Sequence, residues 1–375
     1  IYTLSLHDAL PIFGAYDIVA TTTETTVVAK YTPEQRKSTD YQSEFELEKD
    51  FINRLTGQGY QYLKIESEQD LINNLRTQLE RLNDFTFFDK EWNDFYQNII
   101  ANGNDGILEK TKKIQEDYIQ ILTLDNGYTK NIKLIDKKDI HNNQLQVINQ
   151  YEEGNGNRKT RYDVTILVNG LPLVHIELKK RGVAIREAFN QIKRYQRDSF
   201  WSGCGLFQFV QLFVISNGTH TKYYSNTTRN QHIKDEADNK KIKSKTSNSF
   251  EFTSYWADEG NNTISDLVDF TKTFFAKHTL LNILTRYCVF TSENLLLVMR
   301  PYQIVATEKI INRVEITTNL KKLGKVESGG YIWHTTGSGK TLTSFKTAQL
   351  ATGLSFIEKV QLQRSEERRV GKECR

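Results

Sequence analysis

Asp163, Glu177 and Lys179 are the side chains of this sequence best placed to do chemistry. They fall in TRYDVTILVNGLPLVHIELKK, with Asp163 on one strand-like run and Glu177 and Lys179 on the next, in an E-x-K spacing. A period of two sends Glu177 and Lys179 to the same face of a sheet. Two carboxylates and an ammonium gathered there repel and lose hydration unless a bound cation compensates. Hard oxygen ligands suit Mg²⁺, which acidifies bound water and neutralises charge developing on a phosphate oxygen. Lys179 would orient the attacking water or stabilise a pentacovalent phosphorus. The spacing also fits a solvated hairpin face with a structural Lys-carboxylate pair, because faces rich in Glu and Lys are ordinary.

The elements that must position these groups follow from the apolar residues. Val164, Ile166, Val168, Val174, Ile176 and Leu178 define the core-facing side of both strands, opposite the acids. A two-residue Asn-Gly turn would pair Asp163 with Ile176 and expose one strand's apolar set. A three-residue connection, Asn169-Gly170-Leu171, instead pairs Asp163 with Glu177, and is the expected loop. The following GVAIREAFNQIKRYQRDSF reads as an amphipathic helix with Ala184, Ala188 and Ile192 on one stripe. Gln191 and Tyr195, four apart, share a neighbouring stripe and would bring an amide and a phenol to the acids without adding charge. Read alone, each also suits a solvated Gln and a half-buried Tyr.

A second chemical signature lies in GGYIWHTTGSGKTLTSFKTAQLA, where an apolar strand-like run meets a Gly-rich loop and then a helix pattern. Backbone N–H groups of Thr336, Gly337, Ser338 and Gly339 would cradle a triphosphate at the helix N-terminus, Lys340 would reach the outer phosphates, and the Thr341 hydroxyl would bind Mg²⁺. His334 stands where the first Gly of this motif normally sits. The retained T-G-S-G-K-T keeps the glycines that contact phosphate.

In combination these motifs make the chain resemble the restriction (R) subunit of a type I restriction-modification enzyme, over nearly everything from about Tyr41 to Val360. That family joins an N-terminal PD-(D/E)xK nuclease to a superfamily 2 helicase-like DNA translocase. The resemblance implies that Asp163, Glu177 and Lys179 form the nuclease triad, with Asp163 and Glu177 on Mg²⁺. It implies that Gln191 and Tyr195 are the QxxxY element, and that Gln303 of Arg300-Pro301-Tyr302-Gln303 reads adenine. Lys340 and Thr341 match the ATP site. An acid on the first nuclease helix usually joins the set; in SEFELEKDFINRLTGQGY Glu48 is the best match, with Glu44 and Glu46 competing. Tyr162 stands where the wider fold usually has Pro.

Both ends look foreign to such a protein. TLSLHDALPI near the start and SEERRVGKE from Ser365 can be encoded by the two strands of one short duplex, in different frames, and that duplex resembles a sequencing adapter. Such tails are set aside from fold reasoning. The expected organisation is therefore residues 1–13 adapter-derived or disordered, 14–260 a nuclease domain, 261–363 the truncated start of a first RecA-like motor lobe, and 364–375 an adapter-derived tail. The expected fold class is α/β, a restriction-endonuclease-like mixed sheet flanked by helices and followed by a truncated P-loop lobe.

The net charge of +4 over 375 residues does not announce a nucleic-acid binder, so a DNA path would rest on local clustering. Lys240, Lys241, Lys243 and Lys245 form one such run, either simply solvated or a phosphate-contacting flap. The 3 cysteines, with Cys374 in the foreign tail, support neither a disulfide framework nor a zinc site, which fits a reducing cytosol. No run approaches the roughly 18 apolar residues of a membrane span. Helices are expected from Tyr41 to Leu122, on spacings such as Phe45, Phe51 and Leu55, or Leu71, Leu75, Leu79 and Leu82. LQVINQY and LFQFVQLFVISNGTHTKYY read as further strands, with a domain boundary near Glu259 to Asn262. The resemblance implies assembly with methylation and specificity subunits, ATP-driven pumping of duplex DNA, and cleavage by a chain that touches mostly backbone. Two rivals are a translocase with a non-cutting nuclease-like domain and a non-catalytic DNA-binding scaffold. No acidic Walker B strand follows Thr341, so no ATPase activity above a Lys340→Ala control is expected of these residues.

Overall fold

The computed structural model describes residues 17–21, 26–30, 42–153, 160–198, 205–227, 253–258, 261–322, 324–335 and 338–361. Both foreign-looking ends, the 240–245 lysine run and Cys204 lie outside them. The chain divides into two compact units, Ile1–Pro301 and Tyr302–Arg375.

The first unit opens with a small antiparallel pair, β1 (Asp17–Thr21) and β2 (Thr26–Lys30). Helix α1 (Glu44–Gly57) starts where Ser43 and Glu46 form a capping box: the Ser43 hydroxyl accepts from the Glu46 N–H at 3.2 Å, and the Glu46 carboxylate accepts from the Ser43 N–H at 2.9 Å. Its buried stripe is Leu47, Glu48, Phe51 and Leu55. Phe45, expected on that stripe, is 73% exposed, because six residues before Phe51 is about a third of a turn off the face. After β3 (Gln61–Tyr62) come α2 (Glu68–Asn83), with Leu71, Leu75 and Leu79 fully buried, then α3 (Asp89–Phe95), continued by a π-helical turn, and α4 (Ile107–Gln115). A separate hairpin, β4 (Ile119–Thr123) and β5 (Thr129–Lys133), leads to the main sheet.

That sheet has six strands: β3, β6 (Leu145–Glu153), β7 (Thr160–Val168), β8 (Leu171–Leu178), β9 (Leu212–Ser216) and β10 (Thr221–Ser225), in the order β10-β9-β8-β7-β6-β3. It is mixed. The β3·β6 and β8·β9 pairs run parallel and the other three antiparallel. The parallel β8 to β9 step is made through α5 (Ile185–Asp198) and a short 3₁₀ turn, as such a crossover requires.

The β7–β8 connection differs from the expected three-residue loop. Val168 pairs with Leu171, so the turn is the two residues Asn169 (φ 51°) and Gly170 (φ 83°). A register shift follows at once: Leu167 pairs with Pro172, but Ile166 pairs with Val174. A bulge at Leu173 thus supplies the odd residue that the loop was expected to supply, and Pro172, which has no N–H, sits beside it. Beyond the bulge Val164 pairs with Ile176, which places Asp163 opposite Glu177 as the core pattern demands. The turn is buried: the Asn169 side chain bonds Gln144, Leu134 and Asn143, and a Cβ on Gly170 would lie 2.6 Å from the Leu75 Cα.

Both faces of this hairpin are covered, not one. Every residue of β8 is buried. His175 on the acid face meets Phe213, which stacks on Tyr224, and Phe189 of α5 closes over Tyr224. α5 buries Ala188, Phe189 and Ile192; Ala184, expected on the same stripe, precedes the helix and is exposed. Tyr223, on the other face, packs against Phe270 and Phe274 of the segment α6 (Leu267–Thr273) onward.

Residues 261–301 consequently belong with the sheet. α6, α7 (Lys277–Thr285) and the strand pair β13 (Cys288–Phe290) and β14 (Leu296–Val298), which follow the small β11 (Trp256–Ala257) and β12 (Thr263–Ile264), form part of its core. Phe275 contacts Phe51 and accepts a hydrogen bond from the Tyr60 hydroxyl at 2.8 Å. The boundary expected near residue 260 falls instead at Pro301/Tyr302, because Phe270, Phe274 and Phe275 are core side chains of the first unit.

The second unit comprises, with its first residue at the boundary, α8 (Pro301–Asn319) and α9 (Lys340–Ala351). The run before its Gly-rich loop was expected to be a strand, yet no strand occurs among the described residues of this unit. Tyr331 and Trp333 are 91% and 89% exposed. A buried parallel strand needs neighbours on both sides, and the described residues of this unit supply none. No helix of the described residues is long and apolar enough to cross a membrane.

Candidate active site

The hairpin register brings Asp163, Glu177 and Lys179 together. Asp163 Oδ2 accepts the Leu178 backbone N–H at 2.9 Å, which fixes one oxygen. Lys179 Nζ lies 3.3 Å from Glu177 Oε1. Glu177 is fully buried, and its Oε2 has no hydrogen-bond partner. Such an atom is costly unless something binds it.

The electrostatics follow from burial. Desolvation pushes the Asp163 carboxyl up to about 7, with the neighbouring Glu177 adding to the rise. Burial likewise raises Glu177 to about 7, against the pull of Lys179. Burial opposes the charge on Lys179, but Glu177, Asp163 and Glu44 outweigh it and hold the ammonium above its usual range. Both acids therefore hold a proton more tightly than free carboxylates do.

The three acids of the first helix have different surroundings. Glu46 is occupied by the helix cap. Glu48 is 4% exposed and accepts from the Asn149 amide at 2.6 Å and from the Gln150 amide, and its carboxyl is raised by burial, with Asp163 adding to the effect. Gln150 has φ 52°, a left-handed conformation that breaks the strand's alternation and turns two successive side chains, Asn149 and Gln150, to one acid. Glu44 reaches Lys179 Nζ at 3.1 Å.

His175 is a site residue that the motif spacing did not single out. It lies two before Glu177, hence on the same face, and its Nδ1 contacts the Thr165 hydroxyl at 3.1 Å while Nε2 lies 3.7 Å from Glu177 Oε2. Burial pushes it down to about 4, so the ring is neutral. Period-two alternation alone would have found it; the role of Asn149 and Gln150 had no such signal. Gln191 is half-buried on α5, the helix that packs over the acid face, and the side chain of Tyr195 lies outside the described residues.

Among the described residues no three His, Cys, Asp or Glu side chains are grouped to hold a metal ion. Two hard carboxylates with one buried oxygen lacking a partner nevertheless fit Mg²⁺, which takes one or two carboxylates and keeps most of its waters.

In the second unit, Ser338 and Gly339 precede α9, and Lys340 and Thr341 form its first turn; Thr336 and Gly337 lie outside the described residues. Gly339 has φ 80°, and any Cβ there would collide with the Gln303 amide. Gln303 is 5% exposed and donates to the Ser338 carbonyl at 3.0 Å, as does the Tyr302 hydroxyl at 2.8 Å. His334 Nδ1 contacts the Ser338 hydroxyl at 3.1 Å. Gln303 is thus brought to the Gly-rich loop from 35 residues away in sequence.

Comparison with known proteins agrees with this division. Residues 41–232, which hold the whole acid site, match the family described as type I restriction enzyme R protein N terminus. Residues 302–362, which hold Gln303 and the Gly-rich loop, match the SWI2/SNF2 ATPase family. The chain is 48% identical over 300 residues to the type I restriction enzyme EcoprrI endonuclease subunit of Escherichia coli, covering 80% of this chain and 91% of that protein. It is 39% identical over 328 residues to the SsaAORF53P endonuclease subunit of Staphylococcus saprophyticus, and 36% identical over 326 residues to the SauMSSORF170P endonuclease subunit of Staphylococcus aureus MSSA476. In both cases it covers 85% of this chain and spans only 31% of the relative's length.

Fold, site and matches together define a mixed α/β domain followed by a segment similar to the SWI2/SNF2 ATPase family. The chain belongs to the family of type I restriction enzyme R proteins, the endonuclease subunits of those enzymes.

Proposed function

We propose that this chain is the part of a type I restriction enzyme that cuts duplex DNA, joined to the start of the motor that moves it. Residues 42–301 are read as a PD-(D/E)xK nuclease domain and residues 302–362 as the opening of a RecA-like lobe. The reading is carried by one observation: Asp163 and Glu177, both buried, meet with Lys179 on one sheet, and one Glu177 oxygen has no partner.

Asp163 and Glu177 would hold Mg²⁺, which when bound supplies Lewis acidity at the phosphate and acidifies water. Glu48, held by Asn149 and Gln150, adds a third carboxylate to the field around Asp163. Lys179 donates to the attacking water or to the non-bridging phosphate oxygen, where negative charge grows. His175, whose Nδ1 contacts the Thr165 hydroxyl, lies beside the buried end of Glu177 with Nε2 at 3.7 Å from Oε2. Gln191 and Tyr195, on α5 over the acid face, are assigned to positioning the phosphate or the carboxylates. The DNA is contacted through its backbone, so base reading falls to another subunit of a complex with methylation and specificity subunits. ATP would sit on the 336–341 loop, with Gln303 at adenine, Lys340 on the outer phosphates and Thr341 on its Mg²⁺.

The test is Asp163→Ala in the assembled, full-length enzyme. Cleavage should be lost while ATP-driven translocation continues. Cleavage at the unsubstituted rate would overturn the nuclease assignment and leave a translocase.

A further inference from the structure

The Lys179 ammonium has three N–H donors and no acceptor. All three are taken: Glu44 Oε1 lies at 3.1 Å, Glu177 Oε1 at 3.3 Å and the Leu178 carbonyl at 2.8 Å. A lysine so saturated has no hydrogen left for a water or a phosphate oxygen. One partner must leave when substrate arrives.

The three partners are not equally free to go. The Leu178 carbonyl belongs to the preceding residue and travels with the lysine. Glu177 is fully buried beside Asp163. Glu44 comes from a different element, the first turn of α1, and its side chain is 44% exposed, against 11% for Lys179. An ion pair this exposed is weak, and the released carboxylate has water to turn to. Glu44 also has no duty in the helix cap, which Ser43 and Glu46 complete by themselves.

We propose that Glu44 is a place-holder for DNA phosphate: its carboxylate occupies Lys179 in the DNA-free protein and is displaced by a non-bridging phosphodiester oxygen. Carboxylate and phosphate oxygens are both hard anionic acceptors and compete for the same donor. Glu44 therefore sets how readily the site engages a duplex. The proposal rests on the nuclease reading above, and predicts a direction opposite to that expected of a working catalytic carboxylate: removing Glu44 should help the substrate.

The experiment measures binding of a short duplex to the full 375-residue chain by fluorescence anisotropy, with Ca²⁺ in place of Mg²⁺. Glu44→Gln should bind about threefold more tightly, the scale of one exposed charge pair. Glu44→Asp keeps the charge but is too short to reach Lys179, and should tighten binding to a similar degree. In a Lys179→Gln background neither substitution should matter. The proposal is overturned if Glu44→Asp behaves like the unsubstituted chain, if the gain survives without Lys179, or if no variant binds the duplex. It is equally overturned if Glu44→Gln slows cleavage by the assembled enzyme, because Glu44 would then be a member of the catalytic set. Failure of the nuclease reading shows separately, as cleavage that persists in Asp163→Ala.

Discussion

Two stretches of this chain carry the same kind of sequence signal, an apolar run leading to a chemical motif, and they meet different fates. The run around Val164 to Leu178 lies in the middle of six strands, paired on both edges and covered on both faces. The run around Tyr331 to Trp333 is exposed and unpaired among the described residues of its unit. The difference is not in apolar content. A strand is stabilised by the ladder and the layers beside it, and only the first run has them.

The largest expected effect strikes the acid hairpin. Asp163→Asn in the assembled enzyme should reduce the rate of DNA cleavage by about 10³-fold, the rate equivalent of several kcal/mol of charge stabilisation. A loss below tenfold would reduce the hairpin to a structural element and erase its contrast with the second run.

The next effect tests whether the hairpin is rigid because it is packed. Gly170→Ala places a Cβ at a φ of 83° and 2.6 Å from the Leu75 backbone. It should destabilise the first unit by about 2–4 kcal/mol, from backbone strain and overpacking together. Urea denaturation that gives less than 1 kcal/mol would mean the turn and α2 part easily, on the order of ordinary surface substitutions.

A smaller effect concerns pH. The Asp163 and Glu177 carboxyls have folded values raised to about 7 by burial, well above the ordinary range of free carboxylates. A raised folded value means that the protonated pair stabilises the fold at low pH and that this contribution is lost as pH climbs from about 4 through about 7. In EDTA, Asp163→Asn should therefore match the unsubstituted chain near pH 4 and exceed it at pH 8, by on the order of 2 kcal/mol. Thermal melts at the two pH values check this. Mg²⁺ at pH 8 should raise the melting temperature of the unsubstituted chain only. A substituted chain no more stable at pH 8 would show that the acid pair is not strained.

The smallest effect belongs to the second run, and it is none. ATP hydrolysis by the 375-residue chain should equal that of its Lys340→Ala variant, because the segment before the loop lies outside any sheet that could hold the loop and a catalytic acid in place. DNA-stimulated turnover that the substitution removes would break the comparison outright.

Much of the site was legible in the residues. The E-x-K spacing and the alternation of Val164, Ile166, Val174 and Ile176 carry the register of Asp163 against Glu177. The loop was misjudged because two devices give one register: an odd loop, or an even turn followed by a bulge. The domain boundary was misjudged because Phe270, Phe274 and Phe275 read as the start of something new when they finish the core of something old.

Sequence alone determined which atoms could do chemistry and which strand faces must be buried, since residue type and a period of two are local properties. Only the tertiary structure decided that Gln150 turns left-handed to bring Asn149 and its own amide to Glu48, that Glu44 lies on Lys179, and that Gln303 rests on Ser338. Each of these joins groups far apart in the chain. Such contacts depend on how separate elements pack, a cooperative outcome that no local pattern encodes.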